Sequence, residues 1–197
     1  MISEYEIKKQ ICEIGKRIYD KGMVAANDGN ISVKISDNEF LCTPTGVSKG
    51  FMTPDYICKV DKEGNVIRAN GNFKPSSEIK MHMRVYKERP DVKSVVHAHP
   101  MYATGFAIAG IPLNQPIMPE AVIALGEVPI AAYGTPSTIS IGVHPRRLID
   151  GSLLNSVLFF IFNPATFPVN DEAIFTGFTL SNISFPTFCT AYPRAFS

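Results

Sequence analysis

The first regular pattern in the chain is a row of isoleucines. Ile7, Ile11, Ile14 and Ile18 step by four, three and four, which keeps them on one face of an α-helix. Ser3 and Glu6 stand before them at capping-box spacing and Gly22 suits the C-terminal cap, so a helix is predicted from Ser3 to Lys21. The period then changes to two. Ile31, Val33 and Ile35 alternate with Ser32 and Lys34, the mark of a half-buried strand. Asp37-Asn38 turns the chain into a second strand, Glu39 to Thr43, and Thr43-Pro44-Thr45-Gly46 closes the hairpin. Tyr56 to Val60 and Val66 to Arg68 form another strand pair around a polar turn.

Lys74-Pro75-Ser76-Ser77-Glu78 then leads into a helical stretch ending near Lys87, with Ser76 as its N-cap. Ser94 to His99 reads as a buried strand that stops at Pro100. Met101 to Ala109 is small and apolar and predicts a packed helix ending at Gly110. Ile117 to Leu125 and Val128 to Ala132 are apolar enough for buried strands. Glu120 lies inside the first of them, either paired or functional.

Beyond Thr138 no period lasts. No lysine follows Lys93, and nine of the thirteen phenylalanines fall between Ile139 and Ser197. Short strands are predicted at Val157–Phe162 and Ala173–Leu180. Residues 139–197 therefore read as an atypical tail on a single domain spanning 1–197, of a different origin such as a shifted reading frame or an altered gene end. An uninterrupted native frame across the junction would count against that origin.

Composition narrows the function classes. A net charge of +1 gives no electrostatic case for nucleic acid or an anionic membrane surface. Cys12, Cys42, Cys58 and Cys189 form no C-x-x-C pair and read as reduced thiols of a cytoplasmic protein. The N-terminus has no signal-peptide apolar core, and the longest apolar run, Val157 to Phe162, is too short to span a bilayer.

The candidate chemistry centres on His97-Ala98-His99. Side chains alternate along a strand, so the two imidazoles point the same way and can bind one divalent metal. The ordinary alternative is two hydrogen-bonded histidines at a strand end. Gly29 lets backbone N–H groups approach an anion closely, and Asn30, Thr45 and Gly46 add donors; the competing reading is turn chemistry alone. Ser76 and Ser77 bring hydroxyls to a helix N-terminus, where phosphate binds well. Glu78 is either a dipole-stabilising acid or a catalytic carboxylate. His82, one turn on, is expected to pack or solvate on the helix surface.

Taken together, Gly29-Asn30-Ile31-Ser32, Thr43-Pro44-Thr45-Gly46, Pro75-Ser76-Ser77-Glu78, His97-Ala98-His99-Pro100 and Tyr133-Gly134-Thr135 make residues 1–138 resemble the class II aldolase/adducin family. The resemblance implies an α/β fold of three layers, α/β/α, with a largely antiparallel central sheet. It implies a ring-shaped homotetramer with active sites at subunit interfaces. It also implies a zinc-dependent aldolase acting on a small phosphorylated sugar, a ketose 1-phosphate cleaved to dihydroxyacetone phosphate and an aldehyde. Epimerase or dehydratase chemistry on the same scaffold, or an inactive member, are the alternatives. Carried over, His97 and His99 would ligate zinc, with Glu78 as acid/base and occasional ligand. Gly29, Asn30, Thr45, Gly46, Ser76 and Ser77 would hold the phosphate.

Two departures stand out. The family's third zinc histidine, in an Asn-His-Gly segment about twenty residues after Tyr-Gly-Thr, has no counterpart here; His144 comes too early. Val157 to Pro164 echoes the strand that would carry that ligand, without the ligand. The family's C-terminal helices and catalytic tyrosine are unrecognisable, and the tyrosine expected near residues 117–119 is absent. Weak zinc binding and little aldolase activity are the expected consequence.

Overall fold

A computed structural model describes residues 2–116, 130 and 158–162. The sequence readings at Ile117–Leu125, Glu120, Tyr133-Gly134-Thr135, His144 and Ala173–Leu180 lie outside the described residues, as does Val128–Ala132 apart from residue 130.

The isoleucine row forms helix α1, Glu4–Asp20, with Ser3 Oγ accepting the Glu6 N–H and Ile11 and Ile18 fully buried. Gly22, at φ +67°, ends it in the left-handed conformation that glycine adopts without Cβ strain. The strands are β1 (Asn30–Lys34), β2 (Phe40–Cys42), β3 (Cys58–Val60), β4 (Val66–Arg68), β5 (Ser94–Ala98) and β6 (Leu158–Phe162). They lie in one sheet in the order β4-β3-β2-β1-β5-β6, with every pairing antiparallel. The helices α2 (Ile79–Glu88) and α3 (Met101–Ile108) complete the regular structure, with 3₁₀ turns at Lys49–Phe51 and Pro54–Tyr56.

Alternation along the strands divides the core into two layers. Ile31, Leu41, Val96 and Ala98 pack with Ile11 and Ile18 of α1. Phe40, Cys42, Val60 and Val95 pack with Ile79, Met83, Val85 and Tyr86 of α2. A sheet buried on both faces by helices is the three-layer α/β/α arrangement with an antiparallel centre that the family resemblance implies.

Four expectations change. Tyr56 belongs to a 3₁₀ turn and not to the following strand, because Pro54 opens that turn and the Tyr56 N–H bonds to Thr53 O. Helix α2 begins at Ile79, with Glu78 at the N-cap position; Ser76 accepts the Glu78 N–H through Oγ but stands outside the helix. His82 is buried, not surface-solvated. The apolar character of α3 does not bury it: Met101, Tyr102 and Ile108 are each more than 60% exposed. The tail reading at Val157–Phe162 meets β6, Leu158–Phe162, which pairs along the full length of β5.

Candidate functional site

The site grows from the β1–β5 pairing. Cross-strand partners share a face, and the register sets Asn30 opposite His97. Asn30 and Ser32 therefore lie on the same face as Val95 and His97, the face toward α2. His99 continues that parity just past the strand end, where its N–H bonds to Met23 O. The His97 and His99 rings stand 4.8 Å apart between centroids, tilted 33° to one another. Burial holds the His97 imidazole well below its ordinary pKa, and the neighbouring His99, His82 and Lys49 push the same way. Burial also lowers His99, while the carboxylates of Asp28 and Glu78 oppose it. Both rings are thus neutral at physiological pH, the form a metal ligand must take.

Asn30 does more than line a turn. Its Nδ2 lies 3.0 Å from His97 Nδ1, while its buried Oδ1 has no hydrogen-bond partner. A half-turn of the amide exchanges the two atoms. Oδ1 then accepts from His97 Nδ1–H, and the amide N–H groups point where Oδ1 stood. In that tautomer His97 Nε2 carries the lone pair a metal uses.

The anion-type segments are stitched together through Thr43. Its Oγ1 accepts the Ile31 N–H, its N–H bonds to Ile31 O, and its carbonyl accepts the Ser76 N–H. One residue on, Pro44 bridges to Pro75, and the Thr45 N–H bonds to Lys74 O. Gly29-Asn30, Thr45-Gly46 and Ser76-Ser77 thus belong to three adjoining segments. Thr45, Gly46 and Ser77 are exposed, while Gly29, Asn30 and Ser76 are buried.

Gly29 has two reasons to be glycine. Its φ is +73°, and a Cβ there would sit 2.8 Å from the His97 carbonyl oxygen and 2.6 Å from Val24 Cγ1. The strand carbonyl cannot withdraw without breaking the β1–β5 ladder. Gly29→Ala is expected to destabilise the fold by about 2–4 kcal/mol, the sum of left-handed strain and a backbone clash. Urea denaturation checks this, and an unchanged midpoint would show that the turn can shift away from β5.

Fitting a metal to these residues gives half a site. His97 and His99 suit a zinc ion by type and spacing. Among the described residues no group of three His, Cys, Asp or Glu side chains is placed to hold a metal. Glu78 therefore does not complete a ligand set with the two histidines, although its charge reaches His99. Nor does β6 contribute: the residue in register with His97 is Phe159, and the strand reads Leu-Phe-Phe-Ile-Phe.

Sequence reasoning missed a buried polar cluster under the site. Ser32 Oγ lies 2.6 Å from His82 Nδ1 and 2.8 Å from the Tyr86 hydroxyl. Burial drives His82 down to about 3 and pushes the Tyr86 hydroxyl up. The signal was present in the spacing: Ile79, His82, Met83 and Tyr86 fall on one face of α2, so His82 belongs with buried neighbours.

Comparison with known proteins follows the same lines. A sequence model of the family described as Class II Aldolase and Adducin N-terminal domain matches residues 9–155. The L-fuculose phosphate aldolase of Methanococcus maripaludis is 30% identical over 145 residues, covering 74% of this chain and 77% of that protein. The 3-oxo-tetronate 4-phosphate decarboxylase of Haemophilus influenzae is 33% identical over 135 residues, covering 66% and 63%. Among solved structures, an L-fuculose 1-phosphate aldolase superposes with a TM-score of 0.69 at 26% identity, covering 80% of this chain and 76% of that one.

Proposed function

This chain belongs to the class II aldolase and adducin N-terminal domain family, and from that premise we propose that it cleaves and forms a carbon–carbon bond in a ketose 1-phosphate, yielding dihydroxyacetone phosphate and an aldehyde. The observation that carries this reading is the adjacency of two unlike parts. Neutral paired imidazoles stand at the end of β5, and three hydrogen-bonded segments rich in glycine, hydroxyl and amide donors stand beside them.

The roles divide accordingly. Gly29, Asn30, Thr45, Gly46, Ser76 and Ser77 hold the phosphate, with backbone N–H groups and hydroxyls as donors. His97 and His99 would hold zinc, and a zinc ion bound there would supply Lewis-acid polarisation of the substrate carbonyl. Glu78 moves the proton. In the condensation direction a carboxylate oxygen takes it from the carbon beside the carbonyl, and in cleavage it returns it to the same carbon. Fixing the phosphate decides which proton faces Glu78. Asn30, with its amide turned to accept from His97 Nδ1–H, orients one imidazole and retains an N–H for the substrate.

The decarboxylase relative favours a second reading on the same residues. A 3-oxo acid losing carbon dioxide leaves its electron pair on a carbon beside a carbonyl, as aldol cleavage does. The two readings share the phosphate segments and the metal and differ in the leaving group.

The active form in this reading is a homotetramer with sites between subunits. The exposed apolar residues of α3 are compatible with that arrangement. The unpaired thiols of Cys12, Cys42 and Cys58 suit the cytoplasm. Among the described residues no helix is long and apolar enough to cross a membrane.

The deciding experiment incubates the zinc-supplemented protein with ketose 1-phosphates and separately with a phosphorylated 3-oxo acid. Dihydroxyacetone phosphate from the first supports the aldolase. Carbon dioxide from the second alone transfers the reading to decarboxylation.

A further inference from the structure

The candidate phosphate residues are all neutral, so where the positive charge for an anion comes from is open. We propose that Lys49 is a positioning residue of the anion subsite, its ammonium tying the turn before Gly29 to the loop after Gly46 and supplying positive charge beneath both. The inference rests on the anion-site reading above.

The placement is specific. Lys49 is 1% exposed, rare for a lysine, which ordinarily keeps its ammonium in water. Its Nζ donates to Asn27 O at 3.1 Å and to Val47 O at 2.6 Å. Asn27 stands two residues before Gly29, and Val47 stands one residue after Gly46. One side chain thereby fixes both loops against each other from below.

The backbone of Lys49 is itself fixed from behind. A Cβ on Gly15 of α1 would come within 2.8 Å of the Lys49 carbonyl oxygen, so the helix backs directly onto this turn. Gly50 packs equally closely on the Tyr19 ring. The stem runs inward to the Asn27 and Val47 carbonyls.

Two carbonyl acceptors take two of the three ammonium N–H donors and do not neutralise the charge. Among the described residues Lys49 forms no contact ion pair, the Asp28 carboxylate acting on it only through space, and a buried ammonium without a carboxylate in contact is costly. A cross-link that only joined two loops would be made more cheaply by a neutral side chain. An anion bound above the loops supplies the missing charge.

The titration behaviour agrees. Burial brings Lys49 down to about 8, with the Asp28 carboxylate opposing the fall. The titratable groups facing it are Asp28 in the turn, His97 on β5, held neutral, and Tyr19 on α1, whose ring lies against the adjoining Gly50. Lys49 is therefore charged below about pH 8 and loses its proton above it in the unliganded protein. An anion that needs that charge must bind more weakly as pH rises through this value.

The test is calorimetric titration of the intact protein with inorganic phosphate. It runs from about pH 7.5 to about 9.5, a range that brackets the Lys49 value and in which phosphate is mainly the dianion. Lys49→Met is measured alongside, with circular dichroism to check its fold. The parent is expected to lose about fivefold or more in phosphate affinity across the range. The folded Lys49→Met protein should bind about tenfold more weakly at the lower pH and show no further fall. A folded Lys49→Met protein that matches the parent overturns the inference and leaves the anion site standing. If that variant does not fold, the parent profile decides, and a flat profile overturns it. A parent that binds no phosphate overturns both the anion site and the place of Lys49 in it.

Discussion

Zinc titrated into the purified protein against a competing chelator is expected to bind one equivalent at least about 10²-fold more weakly than it binds a three-histidine site. Loss of a single partner behind a metal ligand costs about 10–100-fold in affinity, and here a ligand itself is missing from the described set. Geometry sets what remains. His97 and His99 stand with ring centroids 4.8 Å apart and both are neutral, and His97 offers Nε2 to an ion once the Asn30 amide is turned to accept from Nδ1–H. The strand on the open side of β5 offers Phe159 at the His97 register and no ligand-type residue along its length. Turnover should accordingly be small in protein as purified and should rise with added zinc. His97→Ala is expected to remove the binding altogether. Tight stoichiometric zinc with full activity would mean that a residue outside the described set, His144 first among them, completes the site.

The contrast between β5 and its surroundings shows what a sequence can carry. Helix α1 was legible because four isoleucines, a capping serine and a terminal glycine all point to one element. The strands were legible wherever β-branched residues alternate with polar ones. His97 and His99 were legible because strand parity is a local rule. What escaped was set by distant pairing. Asn30 meets His97 across 67 positions of sequence, and only the β1–β5 register decides that its amide faces an imidazole as well as a turn. Ser32, His82 and Tyr86 form one buried cluster from two elements, and His82 taken alone looked like a surface residue. Lys49 was passed over because a lysine in a glycine-bearing loop ordinarily solvates; here α1 packs onto its backbone at Gly15 and the side chain is buried against two loop carbonyls. The start of α2 slipped by two residues because Ser76 caps through a turn outside the helix, not at its first position.

Glu78→Gln is expected to lower the turnover number of the zinc-supplemented protein by about 10³-fold while changing phosphate affinity by less than about twofold. A general base positioned at the reacting carbon contributes about 10²–10⁴-fold, and glutamine keeps the shape of the side chain while removing the proton acceptor. The location supports that separation. Glu78 stands at the N-cap position of α2, its backbone held by Ser76 Oγ at 3.3 Å, and its carboxylate is felt at His99. Its charge acts on His99, whereas the proposed anion role falls to its neighbours Ser76 and Ser77. A change confined to the proton should appear in kcat, and a change in anion binding should appear as a common loss in KM and in phosphate competition. The ordinary role of an acid at this place, stabilising the first turn of a helix, is worth only about 0.3–1 kcal/mol. That role alone predicts a slightly lower melting temperature and unaltered kinetics. Full activity in Glu78→Gln would return the residue to that role. A parallel collapse of turnover and phosphate affinity would place it among the anion donors' supports. A kcat loss with phosphate affinity intact assigns it the proton.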